Sequence, residues 1–253
     1  MNANVTTKDM QAMVFAAGLG TRLKPLTDHI PKALVKVDGK PLLQHVLTQL
    51  KEAGATRIVV NVHHFANQII DYLNENHNFG VDIYISDESD LLLDTGGGLK
   101  KAKPLFLESA PILIHNVDIL SNVDLSEFYK QTEGNTSLLV SRRPSSRQLL
   151  FDNKMRLVGW TNVQTGEVKT PYADLKPEEC QHFAFSGIHC FSPNLFSQME
   201  FWPARFGIID FYLSVCHKVE IKGWLKEDLQ LMDVGKADTL QKAEHFLKKI
   251  RNT

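Results

Sequence analysis

Residues 13–32 read MVFAAGLGTRLKPLTDHIPK, and this stretch contains the strongest indication of the fold. Its apolar start, Met13 to Ala17, predicts a strand that is buried on both faces of a parallel sheet. A glycine-rich turn follows directly, at the carboxyl end of that strand. Open α/β sheets bind their ligands at this edge. The stretch therefore predicts an α/β fold with a binding loop after its first strand.

The chemistry of this loop suits a triphosphate. Gly18 and Gly20 have no Cβ, so backbone N–H groups can approach phosphate oxygens closely. Arg22 and Lys32 add full positive charges close by. A glycine turn with a purely structural role would not require two cations beside it. The loop therefore predicts a nucleotide site.

Two other nucleotide-binding patterns fit poorly. A dinucleotide fingerprint needs a third glycine where this chain has Leu23, which weakens the case for a dehydrogenase. A P-loop needs Ser or Thr after Gly-Lys, but Pro41 follows Gly39-Lys40. A regulatory domain that binds an NTP without chemistry remains the main alternative to an enzyme.

Composition narrows the class of protein. The chain has 253 residues with 28 basic and 29 acidic side chains, a balance without the basic excess of a nucleic-acid-binding protein. Three cysteines without metal-ligand spacing are typical of a reducing compartment. The first ten residues are polar, and no apolar run has membrane-spanning length. We expect a cytoplasmic enzyme, monomeric or homodimeric, without nucleic-acid or membrane partners.

Periodicity predicts alternating strands and helices over the first 120 residues. The predicted strands are 13–17, 57–62, 81–86 and 111–116, and the predicted helices are 42–53, a segment around 69–73 and a short one after glycines 96–98. Such an order favours a doubly wound, Rossmann-like, mostly parallel mixed sheet with right-handed crossovers.

The rhythm changes after about residue 135. Mixed or antiparallel strands are predicted at 136–141, 149–152, 156–160, 182–191, 219–221 and 230–234, and helices at 195–199, 208–215 and 236–250. The polar stretch 161–179 is predicted to be a surface excursion. We expect a single domain over 1–253, with a nucleotide-binding half at 11–134, an acceptor-binding lid region at 135–235 and a closing helix at 236–253.

Two aspartates stand where predicted strands end. Asp118 follows the strand 111–116, a position that suits a divalent cation held against phosphate. Asp233 lies at the end of the strand 230–234, although capping of the last helix explains it equally well from position alone. Paired carboxylates are a common magnesium arrangement. Before both of these strands, Asp94-Thr95-Gly96-Gly97-Gly98 predicts a turn before a helix, on which a flat base or ribose can lie.

These segments resemble the sugar-1-phosphate nucleotidyltransferases, which have a Rossmann-like nucleotidyltransferase fold. The resemblance is specific over 16–26, 30–35 and 37–42, and looser matches at 116–118, 185–188 and 233–235 follow in the same order. It implies Mg²⁺-dependent transfer of a nucleoside monophosphate from an NTP to a sugar 1-phosphate, giving an NDP-sugar and pyrophosphate.

The resemblance also implies roles for individual residues. Arg22 would bind the leaving pyrophosphate and Lys32 the α-phosphate, as catalytic residues, while Asp118 and Asp233 would hold Mg²⁺. The residues expected to bind the nucleotide are Ala16, Ala17, Gly18, Gly20, Thr21, Arg22, Gly96 and Gly97. The residues expected to bind the sugar are Asn116, Ser186, Gly187 and Arg147.

Departures from the family pattern bear on the substrates. Val117 replaces a glycine that many relatives have before the metal aspartate, and neither a Glu-Lys-Pro acceptor motif nor an appended β-helix is evident. The compact form is most similar to N-acetylmuramate 1-phosphate uridylyltransferases of cell-wall recycling, with guanylyltransferases for mannose or heptose 1-phosphate as the alternative. The basic segment 142–147 has two interpretations. It is an ordinary solvated turn, or its Arg142 or Arg147 binds the acceptor's phosphate or the lactyl carboxylate of a muramic acid.

Overall fold

The computed structural model describes residues 10–251. In its first half the strands are β1 (Gln11–Phe15), β2 (Lys36–Val37), β3 (Lys40–Pro41), β4 (Arg57–Val62), β5 (Asp82–Asp87), β6 (Ile112–Asn116) and β7 (Ile119–Ser121). The α-helices of this half are α1 (Leu42–Glu52), α2 (Ala66–Glu75), α3 (Asp94–Ala102) and α4 (Leu125–Gln131).

The second half contains seven further strands and two α-helices. The strands are β8 (Thr136–Ser141), β9 (Arg147–Phe151), β10 (Leu157–Asn162), β11 (Glu167–Lys169), β12 (Gln181–Phe191), β13 (Ile221–Leu225) and β14 (Leu231–Asp233). The helices are α5 (Ile208–Val215) and α6 (Ala237–Arg251), and Pro193–Met199 is a 3-10 helix.

The main sheet has the order β11-β10-β9-β12-β6-β1-β4-β5, and β8 pairs with both β12 and β13. Strands β6, β1, β4 and β5 are parallel, whereas β12 runs antiparallel to β6. The predicted Rossmann-like, mostly parallel mixed sheet is therefore confirmed. The division into a nucleotide half and an acceptor half stays a prediction.

Helices cover both faces of this sheet. Alternate residues of a strand point to opposite faces, so Val14 packs in one core with Leu47 of α1, while Met13 packs in the other with Phe211 of α5. All five residues of β1 are buried. This explains why its sequence is an apolar run without polar alternation.

A bulge in β12 turns the sheet toward its second half. The pairing of β12 with β8 shifts register between Phe185 and His189, and Gly187 there has φ 79°. Before the bulge β12 pairs with β9, and after it with β6. Over this shift β12 advances four residues while β8 advances only two, from Val140 to Leu138, and extra residues of this kind bend a strand. Strands β9, β10 and β11 continue the sheet from the part of β12 before the bulge, away from the parallel strands.

Several boundaries differ from the predictions. The glycine run 96–98 lies inside α3, so the predicted turn before a helix is wrong. The excursion 161–179 contains β11, and β13 begins only at Ile221, the last residue of the strand predicted at 219–221. Residues 1–9, with the polar N-terminal segment, and 252–253, at the end of the predicted closing helix, lie outside the described residues. Within 10–251 no helix is long and apolar enough to cross a membrane.

Candidate functional site

The loop after β1 packs closely against Lys32 and Thr27 at Gly20. Gly20 has φ 65°, a left-handed conformation that favours glycine. A Cβ at Gly20 would lie 3.0 Å from both Lys32 Cβ and Thr27 Cγ2. The Thr27 hydroxyl also donates to the Gly20 carbonyl at 2.9 Å. By contrast, no atom lies within 4 Å of a Cβ built on exposed Gly18, which leaves its backbone open to a ligand.

The start of the loop is tied to the rest of the sheet by two buried polar side chains. Asn61 Oδ1 accepts hydrogen bonds from the amides of Ala16 (2.7 Å) and Ala17 (3.3 Å). Asn61 Nδ2 in turn donates to Glu88 Oε1 at 2.7 Å, and the Leu93 amide donates to Glu88 Oε2 at 3.0 Å. The amides of Ala16 and Ala17 thus bond within the protein. Sequence reasoning missed Asn61, although it interrupts an apolar strand.

Burial raises the pKa of the Glu88 carboxyl, and its two hydrogen bonds oppose that shift. Gly98 makes room for this group, because a Cβ there would lie 2.6 Å from Glu88 Oε1. The third glycine of the run therefore serves packing between α3 and the Asn61–Glu88 pair.

The other two glycines also pack against protein. The amides of Gly96 and Gly97 donate to the Phe206 carbonyl at 2.9 and 3.2 Å. A Cβ at Gly96 would collide with the Phe206 ring, and one at Gly97 with the Ala204 carbonyl. The Cβ sides of these two glycines therefore face protein, and the assignment of Gly96 and Gly97 to nucleotide binding stays a prediction.

The predicted metal aspartates come together at one edge of the sheet. Asp118 lies between β6 and β7, and Asp233 ends β14, which pairs antiparallel with β7. The Val234 amide donates to the Asp118 carbonyl at 2.8 Å. Asp233 stands four residues before α6, which begins at Ala237. The amide of Lys236, directly before that helix, donates to Thr239 Oγ1 at 3.3 Å. Asp233 is therefore not the N-cap of α6.

The donor set fits a divalent cation. Lys32 is buried and forms an ion pair with Asp118, so a positive charge already stands at this carboxylate. Within residues 10–251 no three His, Cys, Asp or Glu side chains converge as a metal cluster. Two carboxylates would leave coordination positions to phosphate and water, which is how Mg²⁺ is usually held in phosphoryl-transfer sites.

Two of the predicted sugar-binding residues are neighbours. Gly187, at the bulge of β12, approaches Asn116 so closely that a Cβ there would lie 2.8 Å from Asn116 Nδ2. Ser186 is buried, and its hydroxyl accepts from the Ile188 amide at 3.2 Å. The Ser186 hydroxyl therefore faces its own strand, while Asn116 lines a cavity.

Two cavities open on either side of the aspartates. The first cavity, of about 320 Å³, is lined by Phe15, Ala17, Gly18, Lys32, Asn61, Glu88, Leu92, Asp94, Thr95, Asn116, Val117, Asp118 and Arg205. The second cavity, of about 660 Å³, is lined by Arg22, Arg143, Ser145, Arg147, Leu149, Trp160, Asn162, Glu167, Lys169, Phe185, Ile209, Asp210, Leu213 and Asp233. The two predicted catalytic cations are therefore divided between them, with Lys32 in the first and Arg22 in the second.

The basic segment splits into residues inside and outside the second cavity. Arg142 points away and pairs with Glu227 at 3.0 Å. Arg143, which sequence reasoning did not single out, lines the cavity and donates to the Phe185 carbonyl at 2.8 Å. Burial lowers the pKa of Arg143, and the charge of Asp233 opposes that shift. Arg147 lines the same cavity.

Comparison with known proteins identifies the family. The family model described as nucleotidyl transferase matches residues 11–149, more than half of the chain. The chain belongs to the nucleotidyl transferase family. The matched region contains the loop after β1, Lys32, Asp118 and both glycines of the loop. Asp233 and most of the second cavity lie beyond it.

Relatives of this nucleotidyltransferase extend the match. The chain is 34% identical over 193 residues to an N-acetylmuramate alpha-1-phosphate uridylyltransferase of Neisseria meningitidis, covering 76% of this chain and 79% of that protein. It is 48% identical over 109 residues to the protein of that name from Caulobacter vibrioides, covering 42% and 45%. The solved inositol-1-phosphate CTP transferase of T. maritima shares the fold, with a TM-score of 0.76, 18% identity and coverage of 96% and 97%.

Proposed function

We propose that this nucleotidyltransferase transfers UMP from UTP to N-acetylmuramate 1-phosphate, releasing pyrophosphate, as a step of cell-wall recycling in the cytoplasm. The two relatives named above carry this activity in their names. The compact α/β fold and the loop after β1 are common to the nucleotidyltransferases, so the choice of substrates depends on those relatives and on the second cavity.

One observation carries the proposal. Asp118 lines the first cavity and Asp233 lines the second, and the Val234 amide donates to the Asp118 carbonyl, so this hydrogen bond lies at the boundary between the segments that line them. Two anionic substrates bound in the two cavities would place their phosphates at this boundary. The main barrier to joining two anions is their repulsion and orientation. Lys32 and Arg22 flank the boundary and reduce that repulsion.

The reaction needs no proton removal by a side chain. The acceptor's phosphate oxygen is already an anionic nucleophile, and it attacks the α-phosphorus of UTP. A new P–O bond forms while the bond from the α-phosphorus to the oxygen bridging to the β-phosphorus breaks, and pyrophosphate leaves with that electron pair. In this proposal Lys32 moves from Asp118 to the α-phosphate, and Arg22 binds the pyrophosphate.

Asp118 and Asp233 would hold Mg²⁺ in this proposal. The metal ion would supply neutralising charge to the phosphate oxygens when bound. The Asp118–Val234 hydrogen bond keeps the two carboxylates on adjacent backbone segments. Asp118 is mostly buried, with 16% of its side chain exposed, so its charge is poorly screened by water.

Pyrophosphate release tests the proposal directly. The purified protein is incubated with Mg²⁺, each of UTP, dTTP, GTP, CTP and ATP, and each of N-acetylmuramate, mannose, glucose and heptose 1-phosphates. We expect fastest release with UTP and N-acetylmuramate 1-phosphate. Faster release with GTP and mannose or heptose 1-phosphate would replace the proposal by the guanylyltransferase alternative. Binding of NTP without any release would favour a regulatory domain.

A further inference from the structure

The floor of the second cavity is built from three strands in two rows. Register places Arg147 of β9 beside Asn162 of β10, which lies beside Glu167 of β11. The next row on the same face is Leu149, Trp160 and Lys169. Because side chains alternate between faces along a strand, both rows point into the cavity, and all six residues line it.

The cations around this cavity differ in whether they are neutralised. Lys169 pairs with Asp210 at 3.3 Å and approaches Glu167 at 4.0 Å. In contrast, Arg22, Arg143 and Arg147 form no ion pair with any carboxylate of residues 10–251. The cavity therefore has three guanidinium groups that make no ion-pair contact with a carboxylate of the described residues.

Two of these guanidinium groups lie at the reaction end. A Cβ at Gly235 would lie 2.6 Å from Asp233 Oδ1 and 2.8 Å from Arg22 Nη2, so Arg22 and Asp233 share this corner. Arg143 is oriented by its bond to the Phe185 carbonyl, and the charge of Asp233 acts on it. Arg22 and Arg143 are thus placed for phosphate groups near Asp233.

Arg147 stands apart from that corner, on the floor row with Asn162 and Glu167. Its backbone is held by Ser145, whose hydroxyl donates to the Arg147 carbonyl at 2.8 Å. Arg147 is exposed at the start of β9, and its planar guanidinium fork matches an anion such as a carboxylate. An acceptor whose only charge is its 1-phosphate would leave Arg147 without a partner.

We propose that the second cavity selects a sugar 1-phosphate that carries a second anionic group, with Arg143 binding the 1-phosphate and Arg147 binding the second anion. This inference rests on the proposed function, because it assigns the cavity to the acceptor. N-acetylmuramate 1-phosphate has such a group, the carboxylate of its lactyl ether. Hydrogen bonds to charged groups contribute about 1.5–3 kcal/mol, which corresponds to a preference of about 10- to 100-fold.

The test compares three acceptors. Two of them differ only in the charge of the lactyl group, and the third lacks the lactyl group. The value of kcat/KM is measured with UTP and N-acetylmuramate 1-phosphate, its lactyl methyl ester, or N-acetylglucosamine 1-phosphate. The wild-type protein should prefer the carboxylate by about 10- to 100-fold. Arg147→Gln should abolish this preference, because it lowers kcat/KM for the acceptor with the carboxylate and removes no partner of the 1-phosphate that all three acceptors share.

Two variants on the same segment are matched controls. Arg143→Gln should lower kcat/KM for all three acceptors by a similar factor, because each has the 1-phosphate. Arg142→Gln, whose side chain pairs with Glu227 outside the cavity, should behave as wild type. A wild-type protein without preference for the carboxylate, or an Arg147→Gln variant that retains the preference, would overturn the inference.

Equilibrium binding separates this inference from the proposed function. Calorimetry of each acceptor against the protein with a non-hydrolysable UTP analogue measures the preference without turnover. If no sugar 1-phosphate releases pyrophosphate but Arg147→Gln abolishes a measured binding preference, the proposed function fails and the inference stands. If pyrophosphate is released but acceptors with and without the carboxylate bind equally, the inference fails and the proposed function stands.

Discussion

The first and second cavities differ in how their polar groups are satisfied. In the first, the ammonium of Lys32 is paired with Asp118, and the buried Asn61 and Glu88 bond to each other and to backbone amides. In the second, three arginines have no carboxylate partner among the described residues. A site with internally paired groups is ordered before binding, whereas unpaired cations gain their partners from the ligand.

Lys32 provides the largest expected effect and tests whether the first cavity performs the chemistry. Replacing Lys32 by Met should lower kcat for pyrophosphate release about 10²- to 10³-fold, as loss of one preorganised group facing transition-state charge usually does. The affinity for UTP should change much less. Steady-state kinetics and calorimetry measure the two quantities.

The matched control for Lys32 is Lys24→Met on the same loop. Lys24 is exposed and pairs with Asp28 at 3.2 Å, so its loss should leave kcat near the wild-type value. A Lys32→Met enzyme with wild-type turnover would rule out the proposed mechanism.

Two glycine variants distinguish packing from ligand contact in the first cavity. Gly97→Ala places a methyl group against the Ala204 carbonyl and should lower the free energy of unfolding by about 1–3 kcal/mol, the usual cost of overpacking. Gly18→Ala has space around its Cβ and should leave stability unchanged but weaken UTP binding. Denaturant unfolding and calorimetry measure these effects. A stable Gly97→Ala variant that has lost UTP binding would restore the predicted role of Gly97 in contacting the base.

The two strands between the cavities carry buried histidines that make stability pH-dependent. Burial lowers the pKa of His115 on β6 to about 4 and that of His189 on β12 to about 3, from 6.5. Below pH 6.5 the unfolded chain therefore binds protons that the folded chain excludes, and stability falls as the pH drops toward these values. Each histidine should lower the free energy of unfolding by about 2 kcal/mol between pH 7 and pH 5.

Urea unfolding of a His189→Leu variant checks this prediction. The variant should show a decrease between pH 7 and pH 5 that is smaller than that of the wild type by about 2 kcal/mol. His245→Gln, a change at an exposed position of α6, is the control. An unchanged pH dependence in His189→Leu would show that His189 takes up protons in the folded protein.

The smallest expected effect concerns the cation at Asp118. Because the Lys32 ammonium competes with a metal ion for this carboxylate, Lys32→Met should bind Mn²⁺ more tightly than wild type without nucleotide, by about tenfold, or about 1.4 kcal/mol. Electron paramagnetic resonance of free Mn²⁺ measures this affinity. The exposed Lys36→Met is the control, and equal affinities in Lys32→Met and wild type would mean that Lys32 does not compete at this site.

The predicted alternation of strands and helices in the first half and the position of the glycine-rich loop after β1 were correct because each depends on local pattern. The apolar strands β1, β4 and β6 and the glycines at 18 and 20 are visible in short windows of sequence. Asp118 was found in the same way, from its place after an apolar strand. The glycine run was predicted as a turn before a helix and not as part of α3, because the residues that pack against it, Glu88, Ala204 and Phe206, are distant or unremarkable in sequence.

By itself, the sequence determined the α/β alternation, the glycine-rich loop after β1 and the two aspartates at strand ends, since periodicity and turn chemistry are local properties. Only the tertiary structure decided that Lys32 pairs with Asp118, that Asn61 joins the loop to Glu88, and that Arg143 and Arg147, but not Arg142, face the second cavity. These contacts depend on strand register and on the bulge at Gly187. Strand register and the bulge are set by packing between segments far apart in the chain.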